Sequence, residues 1–360
     1  MDCNDEWELR TRAAIQWLRK SIAVTGGQGS SHSWHPLWGW SKPYPETTGY
    51  IIPTLLDYAT LHQDASLKHL AIDCAHWLCS IQMPNGAFTG LLLGNTQPSI
   101  FNSTQILFGL TRVLQHDPGN KPVHQALQKC VWWLLSMLET DGSWKRHAFV
   151  PGFTPSYYTR AVLGLLIANE VLQDAAIRSR MHHALNFYAL RFQRNHAILD
   201  WGFKPGKAAF THTIAYTVEG FLQCSLILED AALRQKSIAA ADQLLLEREK
   251  AGGRTAGRYN TNWKGDYAFT CVTGNAQLSV LYQRLFELTG EKKYRIARAT
   301  FLQEILKSQK LSGNLNRVGG LPGSMPIWGA YLPFRYPNWA AKFFLDAMAP
   351  FQNDEHWLKQ

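Results

Sequence analysis

Polar and aromatic side chains recur along this chain at positions that precede or open strongly apolar segments. Their types suit a carbohydrate-binding cleft, because aromatic rings stack on the apolar faces of pyranoses and amide or guanidinium groups match hydroxyls and carboxylates. The residues that we predict to form this cleft are Tyr44, Glu46, Gln105, Tyr157, Tyr158, Arg160, His212, Tyr216, Asn275, Gln277, Trp328, Tyr331, Arg335, Tyr336, Asn338 and Trp339. The sequence therefore predicts one shared site.

Proton abstraction from C5 of a uronate is the chemistry that these side chains support best. That step needs a base, a proton donor and a group that neutralises the sugar carboxylate. Tyr44 or Tyr158 can be base or acid, with His212 as the opposite partner. The groups predicted to bind the carboxylate or stabilise the enolate-like intermediate are Arg160, Asn275 and Asn338. Epimerisation and β-elimination are both possible outcomes.

Two other functions fit the same residues. A glycoside hydrolase needs two carboxylates about 5–10 Å apart, and Glu46 with one of Asp141, Asp200 or Asp266 would provide them. A glycan-binding or scaffolding subunit of a polysaccharide assembly complex would use the aromatic side chains without turnover. The three hypotheses differ in whether the bound glycan is epimerised or eliminated, cleaved by water, or left unchanged.

An internal repeat indicates which elements position these residues. Large apolar side chains at equivalent points recur every 54 to 60 residues, at Trp17, Trp77, Trp133, Phe187, Leu244 and Leu302. Each lies near the end of an amphipathic helical segment, and a turn rich in Gly or Trp follows it. A second, more uniformly apolar helix then begins, and these second helices are expected to start near Thr48, Ser103, Tyr158, His212, Gly274 and Asn338.

Six such hairpins predict an all-α fold, an (α/α)6 toroid formed by residues 1–360 as a single domain. A helix that is apolar on all sides is buried, whereas an amphipathic helix faces water on one side. The second helices should therefore form the inner ring, and their amino termini should converge on one funnel. An open α-solenoid with the same repeat is the structural alternative.

Composition and charge restrict the partners. The chain has 360 residues, of which 46% are hydrophobic and 18% charged, so it can bury a large core. Its net charge of +9 favours anionic partners. No zinc finger, recognition-helix signature or RNP-like string is present, so nucleic acid is not expected. No apolar run reaches the ~18–20 residues that span a bilayer, and the acidic, polar start lacks a secretory signal, which predicts a cytoplasmic location.

Other catalytic classes lack their motifs. The sequence contains no GxGxxG, P-loop or Gly-x-Ser-x-Gly pattern. The aspartate-rich strings of terpene cyclases and the Cys/His sets of zinc enzymes are also missing. His182 and His183 are adjacent and would diverge by about 100° on a helix, which is unfavourable for a shared metal. We therefore expect neither a cofactor nor a metal.

Five longer strings carry a resemblance to a known group of proteins. They are YPETTGYIIPTL (44–55), THTIAY (211–216), TGNAQ (273–277), GSMPIWGAY (323–331) and YPNWAAKFF (336–344). With them the chain resembles bacterial α/α-toroid proteins associated with exopolysaccharide and surface-glycan biosynthesis. The resemblance covers nearly the whole chain and implies an acidic polysaccharide, or its precursor, as partner. It also implies a peripheral association with a polysaccharide assembly complex.

A shorter string is similar to one in the helical domain of glucuronyl C5-epimerases. Those enzymes carry a Glu-Tyr-Pro-Thr-Thr-like string with a catalytic Tyr at the start of an inner helix. Tyr44 and Pro45 match that pattern, but Glu46 follows the proline, and Pro43 stands where the epimerases have their Glu. The similarity therefore implies a catalytic role for Tyr44 and carries none over to Glu46.

Overall fold

The computed structural model describes residues 3–349, and this part of the chain forms twelve α-helices. The first member of each predicted hairpin is α1 (Cys3–Ala23), α3 (Ala65–Ser80), α5 (Lys121–Ser136), α7 (Ala175–Ala189), α9 (Ala231–Lys250) or α11 (Lys292–Leu306). The second member is α2 (Pro45–Leu61), α4 (Ile100–His116), α6 (Thr159–Leu172), α8 (Thr211–Ile227), α10 (Val272–Thr289) or α12 (Asn338–Met348). All six second helices begin within three residues of the predicted positions.

The second helices form a closed inner ring. Along the chain, α2 packs on α4, α4 on α6, α6 on α8, α8 on α10 and α10 on α12, and α12 then packs back on α2. The first helices lie outside, with α1 against α12 and each of the others against the inner helix that precedes it. The (α/α)6 toroid is therefore confirmed, and the open solenoid is wrong because the ring closes.

The burial of the two helix sets follows their sequences. In α8 every residue from Thr211 to Leu222 is buried, whereas α3 buries only one stripe, which includes Leu67, Ala71 and Leu78. An inner helix contacts neighbours on all sides, so only a continuously apolar or small-residue sequence can occupy it. The apolar and amphipathic patterns therefore correctly separate inner from outer helices.

The helix starts also differ between the two layers. Outer helices α3, α5, α7 and α9 each begin at a capping side chain that accepts a hydrogen bond from a backbone N–H of the first turn. The capping residues are Asp64, Asn120, Asp174 and Asp230 respectively. Among the inner helices, only α4 has such a cap, provided by Ser99. The other inner helices present uncapped first turns at one end of the ring, where the positive ends of their dipoles converge.

Two glycines allow the inner helices α2 and α4 to approach closely. A Cβ on Gly49 would lie 2.5 Å from the Cα of Ile106, and a Cβ on Gly109 would overlap the carbonyl oxygen of Gly49. No side chain fits at either contact, because a folded core has no space for added atoms at such distances. These glycines therefore set the spacing of the ring at the helix that carries Glu46.

Short antiparallel strands connect the loops above the inner-helix starts. The strands are β1 (Ser33–His35), β2 (Gly39–Trp40), β3 (Ala209–Phe210), β4 (Arg258–Tyr259), β5 (Gly265–Asp266), β6 (Thr270–Cys271), β7 (Ser324–Met325) and β8 (Tyr336–Pro337). They pair as β2-β1-β8, β3-β4-β5 and β6-β7. The sheet β2-β1-β8 joins segments about 300 residues apart, and the sheet β6-β7 joins segments about 55 residues apart. These pairings therefore hold together loops that are distant in sequence.

None of the helices in the described part of the chain is long and apolar enough to cross a membrane.

Candidate active site

A cleft of about 640 Å³ opens at the end of the ring where the inner helices begin. Its wall is mainly aromatic and includes Phe101, Tyr157, Phe203, Tyr331 and Trp339. Among its lining residues Glu46 is the one carboxylate, and two histidines, two lysines and one arginine also reach it. A mostly apolar concavity with a few convergent polar groups is the usual form of a small-molecule or sugar site.

Glu46 lies in the first turn of α2 and forms a hydrogen-bonded pair with Tyr44. The Tyr44 hydroxyl donates to Oε2 of Glu46 at 2.6 Å. In the amide orientation that satisfies its neighbours, Asn102 also donates to this oxygen, at 3.1 Å. Burial raises the pKa of Glu46 to about 7, against the opposing effects of the Tyr44 hydrogen bond and the Arg160 charge. Glu46 is therefore able to hold or release a proton near neutral pH.

Tyr44 itself stays protonated. Burial, followed by the neighbouring Glu46 charge, raises the pKa of the Tyr44 phenol well above 10. A phenol with so high a pKa is a hydrogen-bond donor at neutral pH and does not act as the resting base. The geometry thus makes Tyr44 the partner that stabilises the Glu46 carboxylate.

His212 presents an unprotonated nitrogen to the same cleft. It lies in the first turn of α8, and its Nδ1 is 2.7 Å from Oε1 of Gln277. Because a carboxamide oxygen can only accept, the imidazole carries its proton on Nδ1 and leaves Nε2 as an acceptor. Burial lowers the pKa of His212 to about 4, the Gln277 bond raises it in part, and the Arg160 charge lowers it further. His212 is therefore neutral at ordinary pH.

Glu46 and His212 lie on opposite walls of the cleft. In the closed ring, α2 and α8 are separated by two helices in either direction, α4 and α6 on one side and α10 and α12 on the other. A sugar ring held between these helices would have a protonatable carboxyl on one face and a neutral imidazole on the other.

Positive charge lies at the rim on the His212 side. Lys204 and Lys207 are exposed and belong to the loop before β3. Arg258, in β4, pairs with Phe210 of β3, and its Nε and Nη2 lie 2.9 and 2.8 Å from Oδ2 of Asp266. Neither lysine forms an ion pair with any residue between 3 and 349. The two ammonium groups are thus available to an anionic ligand.

The predicted site residues separate into two groups. Those that line the cleft are Tyr44, Glu46, Tyr157, His212, Tyr216, Tyr331 and Trp339. Those that do not line it are Gln105, Tyr158, Arg160, Asn275, Gln277, Trp328, Arg335, Tyr336 and Asn338. The first group includes Tyr44, Glu46 and His212, whereas the alternative acid–base residue Tyr158 and all three predicted carboxylate-binding groups fall in the second.

Arg160 lies below the floor of the cleft. Its Nε donates to Oε1 of Gln105 at 2.8 Å, and its Nη1 is 3.8 Å from the Glu219 carboxylate. The guanidinium stacks between the rings of Phe108 and Tyr216, 4.7 and 4.6 Å from their centroids. A buried arginine needs such partners, and they direct it toward a second cavity of about 350 Å³ at the opposite end of the ring.

Asn275 and Asn338 are structural. The Asn275 amide donates to Glu304 of an outer helix at 2.7 Å, so it faces away from the cleft. The Asn338 amide donates to the hydroxyls of Ser30 and Thr47 at 2.9 and 2.8 Å. These bonds connect the last inner helix to the first, and they stabilise the ring closure.

Three aromatic predictions also fall outside the cleft. Tyr158 is fully buried behind the wall, stacked on Phe101 with 5.9 Å between ring centroids. Tyr336 packs on Trp34 in the neighbouring strand. Trp328 is 66% exposed on a loop outside the lining. Trp339 is thus the single tryptophan among the lining residues.

The second carboxylate proposed for a hydrolase is not in the lining. Asp141 accepts from Ser143 in its own turn and pairs with Lys145 at 2.6 Å on the surface. Asp200 lies 3.8 Å from Arg191, and Asp266 forms the ion pair with the β4 arginine. Glu46 therefore has no carboxylate partner among the residues that line the cleft.

Lining residues without a sequence prediction include these five: His32, Phe203, Lys204, Lys207 and Arg258. All of them lie in loops or two- to three-residue strands, and not at helix starts. The sequence feature that could have indicated them is their closeness to the predicted inner-helix starts. The loop of Lys204 and Lys207, for example, leads directly into α8. Their convergence depends on strand pairing between distant segments.

No family model and no curated protein matches the chain. Solved structures of similar fold are found. An unsaturated glucuronyl hydrolase from Bacillus sp. GL1 has a TM-score of 0.76 and 12% identity over 96% of this chain and 97% of its own. A D-mannose isomerase has the same TM-score and identity over 96% of each chain. The cellobiose 2-epimerase of Bacillus thermoamylovorans has a TM-score of 0.69 and 12% identity over 93% and 99%. These neighbours are enzymes with the (α/α)6 toroid, and the likeness shows that fold for this chain.

Proposed function

We propose that this protein is a carbohydrate-active enzyme that abstracts the C5 proton of a uronate in an acidic polysaccharide or its precursor. The observation that carries the proposal is the placement of Glu46 and His212 on opposite walls of one aromatic cleft, with opposite proton occupancy. Below about pH 7 the proton belongs to Glu46, because burial raises the pKa of this carboxyl to about 7. His212, with a pKa of about 4, has Nε2 unprotonated.

The proton balance of this pair fits epimerisation. His212 Nε2 takes the C5 proton and becomes an imidazolium, while the electron pair of the C–H bond moves toward the sugar carboxylate. The Glu46 carboxylic acid then gives its proton to C5 from the opposite face and becomes a carboxylate. This second state, with the proton on His212 and none on Glu46, is the starting state of the reverse reaction. The pair holds one proton in either state and can therefore catalyse both directions. Because Glu46 and His212 lie on opposite walls, inversion at C5 is favoured over elimination.

Binding of the uronate carboxylate is assigned to the rim cations. In the enolate-like intermediate, the carboxylate attached to C5 would lie in the plane between the Glu46 wall and the His212 wall, and Lys204, Lys207 and Arg258 would reach it from the His212 side of the cleft. Positive charge there stabilises the enolate-like intermediate. Aromatic rings such as Trp339 and Tyr331 provide stacking surfaces for pyranoses. The net charge of +9 would attract an anionic polymer over longer distances.

The names of the structural neighbours agree with this chemistry at a general level. Two neighbours are glucuronyl hydrolases and others are sugar epimerases or an isomerase. The hydrolase names also support glycoside hydrolysis as a second candidate. That mechanism would need a second carboxylate to enter the cleft beside Glu46, since the lining residues provide one acid.

Product analysis with three variants tests the proposal. Wild-type protein incubated with a panel of uronate-containing polysaccharides is expected to produce a new uronate epimer, without new reducing ends or unsaturated sugars. Glu46→Gln and His212→Asn should each lower turnover by at least ~10²-fold, because each removes one half of the acid–base pair. The matched control Asp141→Asn removes a carboxylate far from the cleft and should retain activity.

Other product patterns would replace the proposal. New reducing ends that require Glu46 would indicate the hydrolase. Unsaturated products would indicate elimination. Full turnover in both Glu46→Gln and His212→Asn would show that the acid–base assignment is wrong, and a glycan bound but unchanged throughout would indicate a non-catalytic binding protein.

A further inference from the structure

A second imidazole lines the cleft, and the proposed proton transfer does not use it. His32 lies in the loop between α1 and α2, beside Tyr44 and Trp339, with ring centroids 5.2 and 4.8 Å away. Its backbone is hydrogen-bonded on both sides of the Cα. The His32 N–H donates to Lys42 at 3.0 Å, and its carbonyl accepts from Asn338 at 3.1 Å. The backbone that carries the ring is therefore fixed on the same wall as Glu46.

A chain of hydrogen bonds behind the wall sets the proton on this ring. Arg335 Nη1 donates to the hydroxyl oxygens of Ser33 and Ser41, each at 3.2 Å. The Ser33 oxygen lies 2.8 Å from Nδ1 of His32 and 3.3 Å from the Ser41 oxygen. Because Arg335 has donors only, it takes a lone pair of Ser33 and leaves the Ser33 proton to be donated. The nearer acceptor for that proton is His32 Nδ1.

If the Ser33 hydroxyl donates across this shorter distance, the His32 proton lies on Nε2. No residue between 3 and 349 forms a hydrogen bond to that nitrogen, so its N–H is available to a ligand in the cleft. Burial, and then the Arg335 charge, lower the pKa of His32 to about 4, so the ring is neutral. His32 and His212 thus have opposite tautomers: one presents a donor to the cleft, and the other presents an acceptor.

We propose that His32 is a further catalytic residue, an uncharged Nε2–H donor to the sugar oxygen that gains negative charge as the C5 proton leaves. Ser33 and Arg335 are its positioning residues, because they fix the tautomer from behind the wall. The catalytic part of this inference rests on the proposed function. The tautomer does not, since it depends only on the folded protein. This also gives Arg335 a role that differs from the predicted contact with substrate.

The tautomer is measured by long-range ¹H–¹⁵N correlation on the full chain labelled with ¹⁵N-histidine, without ligand. The His32 signals are assigned by their loss in His32→Gln, and the His212 signals by their loss in His212→Asn. We expect His32 to be protonated on Nε2 and His212 on Nδ1. Ser33→Ala should abolish the single tautomer of His32, whereas Ser41→Ala, which removes the other Arg335 acceptor, should preserve it. An Nδ1–H tautomer at His32, or no change in Ser33→Ala, would overturn the inference.

Kinetics then separate a catalytic donor from a structural residue. His32→Phe should lower kcat by about 10²-fold with little change in KM, as loss of one preorganised donor does. His32→Gln keeps an N–H donor and should recover part of that loss. An unchanged kcat in His32→Phe would overturn the catalytic role while the tautomer result stands. If wild-type protein turns over no uronate, it is the proposed function that fails, and the NMR result is unaffected.

Discussion

Replacing Tyr44 by phenylalanine should shift the pH dependence of turnover in a direction that the structure fixes. The active free enzyme has a proton on Glu46 and none on His212 Nε2. The profile of kcat/KM should therefore rise near pH 4, as His212 loses its proton, and fall near pH 7, as Glu46 loses its own. Tyr44 donates to the Glu46 carboxylate at 2.6 Å and so favours its charged form. Removing this donor raises the pKa of Glu46.

The size of the shift follows from the strength of that bond. A hydrogen bond to a charged group is worth about 1.5–3 kcal/mol when buried, and Glu46 is only 7% exposed. One pKa unit corresponds to about 1.4 kcal/mol. The basic limb in Tyr44→Phe should therefore move upward by about one to two pH units. The acidic limb, which belongs to His212 on the opposite wall, should stay in place.

The assay is kcat/KM for a uronate substrate measured across pH 3.5–10 in wild type and variant. Tyr282→Phe is the matched control, because it removes a buried tyrosine hydroxyl that donates to the Ala241 carbonyl at 2.9 Å, between the inner helix α10 and the outer helix α9. This control should leave both limbs unchanged. A basic limb that is unmoved or moves downward in Tyr44→Phe would refute the assignment of Glu46 as the proton donor.

Two further predictions concern substrate charge and ring packing. The double variant Lys204→Ala/Lys207→Ala should raise KM for an acidic polymer on the order of tenfold, with kcat nearly unchanged and a weaker salt dependence of KM. The control Lys145→Ala should behave as wild type. Equal KM values in the double variant and wild type would contradict the assignment of carboxylate binding to the rim lysines. Gly109→Ala should lower the free energy of unfolding by about 1–3 kcal/mol in urea titrations, because its Cβ overlaps the backbone of the neighbouring inner helix. Gly119→Ala, in an open turn, should have little effect, and equal stability of the two variants would refute the packing argument.

The fold could be predicted from the sequence because its signals are local and repeated. Each hairpin provides its own contrast between an amphipathic and an apolar helix, and six copies at similar spacing indicate a ring. The positions of Tyr44, Glu46 and His212 followed from the same rule, since first turns of inner helices converge on one end. The assignment of residues 1–360 to one domain, the association with an assembly complex and the cytoplasmic location stay predictions.

The remainder of the site depends on contacts between segments distant in sequence. Arg160 and His212 both occupy the second position of an inner helix, yet Arg160 lies below the floor because Gln105 and Glu219 on neighbouring helices provide its partners. His32 and Arg258 reach the cleft through strands that pair with distant partners. Side-chain direction in such cases is decided by neighbours that only the closed ring brings together.

The most direct test of the central claim is hydrogen exchange at C5 of a uronate in deuterated water, followed by proton NMR. Proton abstraction predicts that the H5 signal disappears in step with turnover, and that the new epimer contains deuterium at C5. The deuterated epimer should be lost in both Glu46→Gln and His212→Asn, whereas Glu46→Gln retains the His212 base and can still exchange H5 of the substrate without inversion. A product formed with its full H5 signal, or cleavage of the chain without exchange, would contradict C5 proton abstraction by this pair of residues.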